Sequence, residues 1–468
     1  MPQCSSCKLH KRTCTYARPV AGRAAPAESR EVFARAPGDI SYATIRFLDP
    51  EMFERSSLWP LQNTVRAPKH LHDYLGDTHE IRKVVTLFFQ NVHPWFPIVA
   101  KRRFKDEILN PLIPPRADLC FLCLCMKLLA EPPTDIGEAR MDSAYQYAKQ
   151  LCHDLQLENV LSLEFLQAHI LLALYELGQG IYPATHISVG CCLKYAAALG
   201  MSWEAPSPML PQRTWTDAEE QRRVWWSIFI LERVTNLSHP RQTLMCPEPR
   251  PTAPLPQQES LWDNEKHNSI APPLLSSPPE LLGRFAGVAQ ASYLLSRVYR
   301  HLSDTLLPES YYEETQQLNR TIHALIQYLE INKGTTTSAA CYQTALSYCA
   351  LITLHSQYLP SLEPEMYNDE IQERAIKALD EAAGAAFVTM RKFLDTDKID
   401  PRHGEIPPFI FPWLYKSSMY YIQRYNVDKS DDLKYRIATL EQALRYFSTR
   451  WKSAADYLKL LAAHSLMS

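Results

Sequence analysis

Ile81, Val84, Val85, Phe88 and Val92 recur at i, i+3, i+4, i+7 and i+11, directly behind Asp77-Thr78-His79-Glu80. That spacing lays one apolar stripe along a helix. Asp77 supplies an acceptor at the cap position and Glu80 a carboxylate three residues on. His93-Pro94-Trp95-Phe96-Pro97 then stops the helix and turns aromatic side chains into a corner. Ser162 predicts the cap of a second helix carrying Leu163, Leu166, Ile170 and Leu174 and ending near Gly178. A third runs from about Pro183 to Gly200 with Ile187, Cys191 and Ala198 inward, and the two are expected to pair as an antiparallel hairpin. Thr216 with Glu219 predicts a capping box opening a helix to about Leu237.

Ten prolines between Pro240 and Pro279 rule out a regular element there and predict an extended surface loop. Helical patterns resume at Pro279-Glu280-Leu281-Leu282 and are broken around 330–338, 359–368 and 400–408. Phe411 starts one helix, and Ala443 to Leu461 reads as the last. Neither a period-2 strand series nor a fixed-length repeat is present. The fold class expected is all-α, a large body of antiparallel helical hairpins.

Composition sharpens this picture at three points. Glycine is scarce, 13 of 468 residues, about half the usual share of roughly 7%, which disfavours folds built on tight turns or glycine-rich nucleotide loops. Charge is unevenly placed: residues 1–30 carry Lys8, Lys11, Arg12, Arg18, Arg23 and Arg30 against Glu28, 6 − 1 = +5, which leaves −7 for the rest of a chain of net charge −2. A basic arm on an acidic body suits a polyanion partner. Residues 17–70, rich in Ala, Pro, Arg and Ser, read as a linker, largely disordered, with the helical body expected over 71–468 and a cysteine-bearing segment at 1–16.

The N-terminus lacks an apolar signal region and no apolar run nears 18 residues, so no membrane span and a reducing, intracellular compartment are expected. Cys120, Cys123, Cys125, Cys191, Cys192, Cys341 and Cys349 fall in helical patterns and read as buried small hydrophobes.

A P-loop, a strand-linked GxGxxG, a GxSxG elbow and an HExxH are absent, which removes the common enzyme classes they mark. His169, His186 and His355 read as core or hairpin contacts, and Glu219-Glu220 and Glu313-Glu314 as solvated faces. The remaining chemistry lies in Cys4, Cys7 and Cys14, a C-x2-C-x6-C array set among Lys8, His10, Lys11 and Arg12. Thiolates two residues apart are a usual presentation of sulfur to zinc, but three are one too few for a closed tetrahedral site. Either His10 completes the array or further cysteines do.

Pro2-Gln3-Cys4 through Cys14-Thr15-Tyr16 resembles the second half of the fungal binuclear zinc cluster, P-x-C-x2-C-x6-C-x-Y, a family in which six cysteines hold two zinc ions. The resemblance implies zinc as cofactor with Cys4, Cys7 and Cys14 as ligands, the site being incomplete in this chain. It implies DNA as partner, with Lys8, Lys11 and Arg12 touching phosphates without reading bases. The leading half, which carries that family's main DNA-reading helix, is not in this chain.

The body is similar to the helical regulatory region found behind such clusters. Phe88 to Ile98 with Phe104, Cys191 to Met201, Arg222-Arg223-Val224-Trp225-Trp226 through Glu232-Arg233, and Trp451 to Tyr457 carry the likeness over about 75–460. Two departures are Glu232, where that family has Asp, and Pro240-Arg241-Gln242 in place of Gly-Arg-Pro, so the turn over 238–256 is built differently here. The resemblance implies a nuclear regulator of transcription, with the transcription machinery, a second copy and a small-molecule effector as partners. Two other readings stand beside it: a regulator acting through protein contacts alone, and an α-helical enzyme, whose sign would be a pocket gathering several ionisable side chains.

Overall fold

The computed structural model describes residues 42–49, 51–52, 65–109, 116–131, 142–203, 206–207, 210, 214–264, 271–304, 308–331, 340–359, 369–396 and 406–467. They belong to two compact units, residues 1–61 and 62–468. In the first, the described chain is mainly helix α1, Tyr42–Leu48, lying within the segment read as linker.

The helices of the second unit begin with α2, His72–Leu75, α3, Thr78–Asn91, and α4, Lys101–Ile108. There follow α5, Ala117–Ala130, α6, Ser143–Leu157, α7, Leu163–Gly178, and α8, Ala184–Ala198. The long α9, Trp215–Thr235, leads through the proline-rich stretch and the short α10, Glu259–Asp263, to α11, Arg284–Ser303. The rest is α12, Pro308–Ile331, α13, Ala340–His355, α14, Asp369–Thr396, α15, Phe411–Val427, α16, Asp431–Phe447, and α17, Lys452–Met467. Among the described residues no strand forms, and pairing is limited to the isolated bridges Arg66 with Arg116 and Pro254 with Leu274.

Local rules account for many boundaries. Asp77 caps α3 by accepting from the N–H groups of His79 and Glu80, and Ser162 Oγ caps α7 by accepting from Phe165 N. After α7 the chain turns at Gly180, φ +64, with Ile181 N donating back to Glu176 O. A left-handed residue is needed there and glycine adopts it without strain. The hairpin of α7 and α8 is antiparallel: Phe165, at the start of α7, meets Tyr195, near the end of α8, with ring centroids 4.8 Å apart.

Helices α5 and α7 form the centre. Every residue of α7 is buried, and α5 buries all but Lys127, as befits helices apolar on nearly all sides. Around them pack α3, α6, α8 and α9, while α11, α13 and α15 extend the core toward α14, α16 and α17.

Four expectations are corrected. The inward face of α8 is Thr185, Ser188, Val189, Cys192, Leu193 and Ala196; Ile187 is 60% exposed and Cys191 is exposed too. Polar Thr185 and Ser188 point inward because Thr185 bonds Ile181 O and Ser188 meets Lys149. The capping box of α9 sits two residues early, on Thr214 and Asp217. The presumed last helix is two, α16 and α17, parted where Arg450 and Trp451 turn into the interior. Glu219 and Glu220 are wholly buried, not solvated, for reasons given below.

Candidate functional site

Cys4, Cys7, Lys8, His10, Lys11, Arg12 and Cys14 all lie outside the described residues. What the structure places is the double-arginine, double-tryptophan helix and, further on, a charged cleft.

In α9, Arg223 is fully buried. Its Nε donates to Glu219 Oε1 at 2.9 Å, its Nη2 to Gln257 O at 2.7 Å, and its guanidinium lies 4.2 Å from the Trp262 ring centroid. Glu219 also accepts from Gln257 N at 2.8 Å. Ten residues on, Arg233 pairs with Glu232, donates to Ser296 Oγ and Glu248 Oε1, and covers the Phe229 ring. The Glu232 carboxylate accepts from the N–H groups of Met245 and Cys246. Two buried ion pairs on one helix therefore grip the proline-rich loop at residues 245–248 and at Gln257, where proline removes backbone donors. Trp226 adds a third grip by donating to Pro254 O at 3.0 Å. The residues that carry the family likeness most specifically are thus structural.

Glu220 belongs to a second polar cluster. It accepts from Ala100 N at 2.8 Å and Gln167 Nε2 at 2.7 Å and pairs with Arg103 at 2.8 Å. Adjacent acids diverge on a helix, so Glu219 and Glu220 face two different arginines.

The predicted histidines behave as core or hairpin contacts. His169 in α7 is buried, and burial holds its pKa down to about 4. His186 is half-buried with its ring tilted toward Tyr182, centroids 5.6 Å apart, a hairpin contact, and His355 is 6% exposed. Cys120, Cys123, Cys125, Cys192 and Cys349 are buried as expected, and burial raises each thiol out of the reactive range. The side chain of Cys341 lies outside the described residues.

A cleft of about 430 Å³ opens between α12 and α14 over the end of α13. Tyr312, Thr315, Gln316, Asn319, Arg320 and His323 of α12 line one wall, spaced i, i+3, i+4, i+7, i+8, i+11. Arg374, Lys377 and Glu381 of α14 face them, with His355 and Tyr358 at the junction. His323 links the walls, its Nδ1 on Asn319 O at 2.8 Å and its Nε2 on Glu381 at 3.1 Å. His355 Nε2 meets Asn319 Oδ1 at 2.8 Å, while its Nδ1 is buried without a partner. Arg374 is shared between Tyr312 Oη and Glu370.

Sequence reasoning missed this site. Its one signal was the polar stripe on α12, indistinguishable from a solvated face until α14, some 50 residues on, closes over it.

The cleft gathers ionisable groups, so its chemistry decides between binding and catalysis. Thr315 Oγ1 lies 2.8 Å from His301 Nε2, and His301 Nδ1 lies 3.1 Å from Glu314, a hydroxyl–imidazole–carboxylate relay. Thr315 sits in the interior of α12, however, and its hydroxyl donates to Tyr311 O. Backbone N–H groups there are committed to helix hydrogen bonds, so none is available to stabilise an oxyanion. The arrangement favours binding.

Residues 85–337 match the family described as "fungal specific transcription factor domain". The chain is similar to transcription factor BOA15 of Botryotinia fuckeliana, 34% identical over 178 residues, 38% of this chain and 97% of that protein. It is similar to the azaphilone cluster-specific transcription factor azaR of Aspergillus niger, 25% identical over 185 residues, 37% of this chain and 39% of azaR. It is also similar to the pigment biosynthesis transcriptional activator pigB of Monascus ruber, 27% identical over 166 residues, 32% of this chain and 29% of pigB. The alignments with azaR and pigB thus span well under half of those proteins. No solved structure matches.

Proposed function

The chain belongs to the fungal specific transcription factor domain family, and from that premise we propose that it is a nuclear regulator of RNA polymerase II transcription that works by binding rather than catalysis. The observation that carries this reading is the match over 85–337, a span that contains the α9 grip on the proline-rich loop. The names of azaR and pigB support a secondary-metabolite pathway as its target. In this proposal residues 71–468 form the regulatory domain, 17–70 the linker and 1–16 part of a zinc-cluster DNA-binding segment. Its partners are DNA, the transcription machinery and a second copy of the chain.

Zinc enters this reading only in part. Cys4, Cys7 and Cys14 supply thiolate sulfur at ligand spacing, but three donors close neither a mononuclear nor a binuclear site. The residues present do not fit the cluster by themselves. That donor count favours a second reading for this chain taken alone, regulation through protein contacts, with Lys8, Lys11 and Arg12 adding only salt-dependent affinity for phosphate.

Two measurements test the proposal. Joined to an unrelated DNA-binding domain at a reporter promoter, the chain is expected to change transcription several-fold; an unchanged reporter would overturn the regulator reading. In a gel-shift selection with zinc measured by mass spectrometry, this chain is expected to hold fewer than two zinc ions and to show no sequence-selective shift. Two ions with a selective shift would contradict the donor count.

A further inference from the structure

The cleft between α12 and α14 carries more cationic charge than its own carboxylate neutralises. Arg320, Arg374 and Lys377 line it against Glu381 alone. Glu381 is engaged with His323, and Arg374 with Glu370 and Tyr312. Among the described residues Lys377 makes no ion pair, and neither does Arg320, whose Nε makes a long hydrogen bond to Gln316 O, 3.4 Å. Two cations thus stand over the cleft with their charge unanswered.

At the junction, His355 offers the complementary feature. Asn319 Oδ1 is an acceptor, so His355 Nε2 carries the proton and donates to it. That leaves Nδ1 as a lone-pair acceptor, buried and without a partner. An unmatched buried acceptor is costly unless something donates to it. The volume of about 430 Å³ falls within the range that small-molecule sites occupy and is far too small for a duplex.

We propose that this cleft is an effector site for a small hydroxylated organic acid, its carboxylate held by Arg320 and Lys377 and a hydroxyl donated to His355 Nδ1 as the ring shifts to bring that buried atom to the cleft. That the ligand is an effector rests on the regulator reading above; that it binds does not. Its lining draws on α12, inside the family match, and on α13 and α14, which lie wholly after residue 337.

The test uses the full chain and calorimetric titration with 2,4-dihydroxybenzoate, its neutral amide, benzoate and inorganic phosphate. The dihydroxy acid is expected to bind, with the amide and benzoate each at least tenfold weaker. The exposed pair Arg320→Ala/Lys377→Ala, checked for an unchanged circular dichroism spectrum, is expected to weaken the dihydroxy acid at least tenfold. Absence of binding, equal binding by the double variant, or phosphate binding as tightly as the dihydroxy acid would each overturn the assignment. Because the titration needs neither DNA nor zinc, its outcome is separable from the regulator reading. In the reporter experiment, the acid is expected to alter the response of the native chain and not that of the double variant.

Discussion

His169 shows how one residue type can be read from sequence in role but not in magnitude. Its place within an apolar helical pattern points to core, and the structure buries it at 3% exposure between α7 and its neighbours. Burial lowers its pKa from 6.5 to about 4. In the unfolded chain the ring takes a proton near 6.5, while in the fold it stays neutral down to about 4. Across that window the unfolded state binds more protons, so stability falls as pH drops, by on the order of 3 kcal/mol for this group. His169→Asn stays neutral throughout and is expected to flatten the loss of denaturation midpoint between pH 7 and pH 4.5. An undiminished slope would show that the ring is not desolvated as the fold requires. Glu219 and Glu220 teach the converse. Glu219 has Arg223 four residues on along the same helix, whereas Glu220 is answered by Arg103 of α4, reached only by folding, and these pairings make their burial tolerable.

At the scale of elements, α9 organises the proline-rich stretch. Glu232, one methylene longer than the Asp expected by resemblance, still receives the N–H groups of Met245 and Cys246 and keeps Arg233 paired. The altered turn at Pro240-Arg241-Gln242 is therefore anchored from its far side. Glu232→Ala orphans two backbone donors and leaves a buried guanidinium short of its counter-charge, a change expected to cost about 3–5 kcal/mol. Arg241 is exposed, so limited trypsin digestion followed by mass spectrometry should find faster cleavage after Arg241 in the variant. Equal cleavage rates would mean that the carboxylate does not hold the loop.

At the scale of the whole 62–468 unit, closure depends on contacts between distant parts of the chain. Arg450 donates to the carbonyls of Leu129 and Glu131 at the end of α5, and Ser453 Oγ donates to Gly178 O at 2.7 Å. Gly178 faces the Trp451 ring so closely that an added Cβ would fall 2.3 Å from Cε3. Alanine ordinarily favours a helix by about 1 kcal/mol over glycine, yet here the overlap is with a buried ring hemmed in by the core. Gly178→Ala is therefore expected to lower the thermal midpoint, and a raised or unchanged midpoint would refute the close approach. The all-α class, the caps at Asp77 and Ser162 and the proline-rich interruption were legible along the chain, because each depends on residues within about four positions of one another. Packing settled that Glu220 meets Arg103, why Gly178 must lack a side chain, and that the polar stripe of α12 lines a cleft. Each of those depends on a partner brought close by packing, and local periodicity carries no record of it.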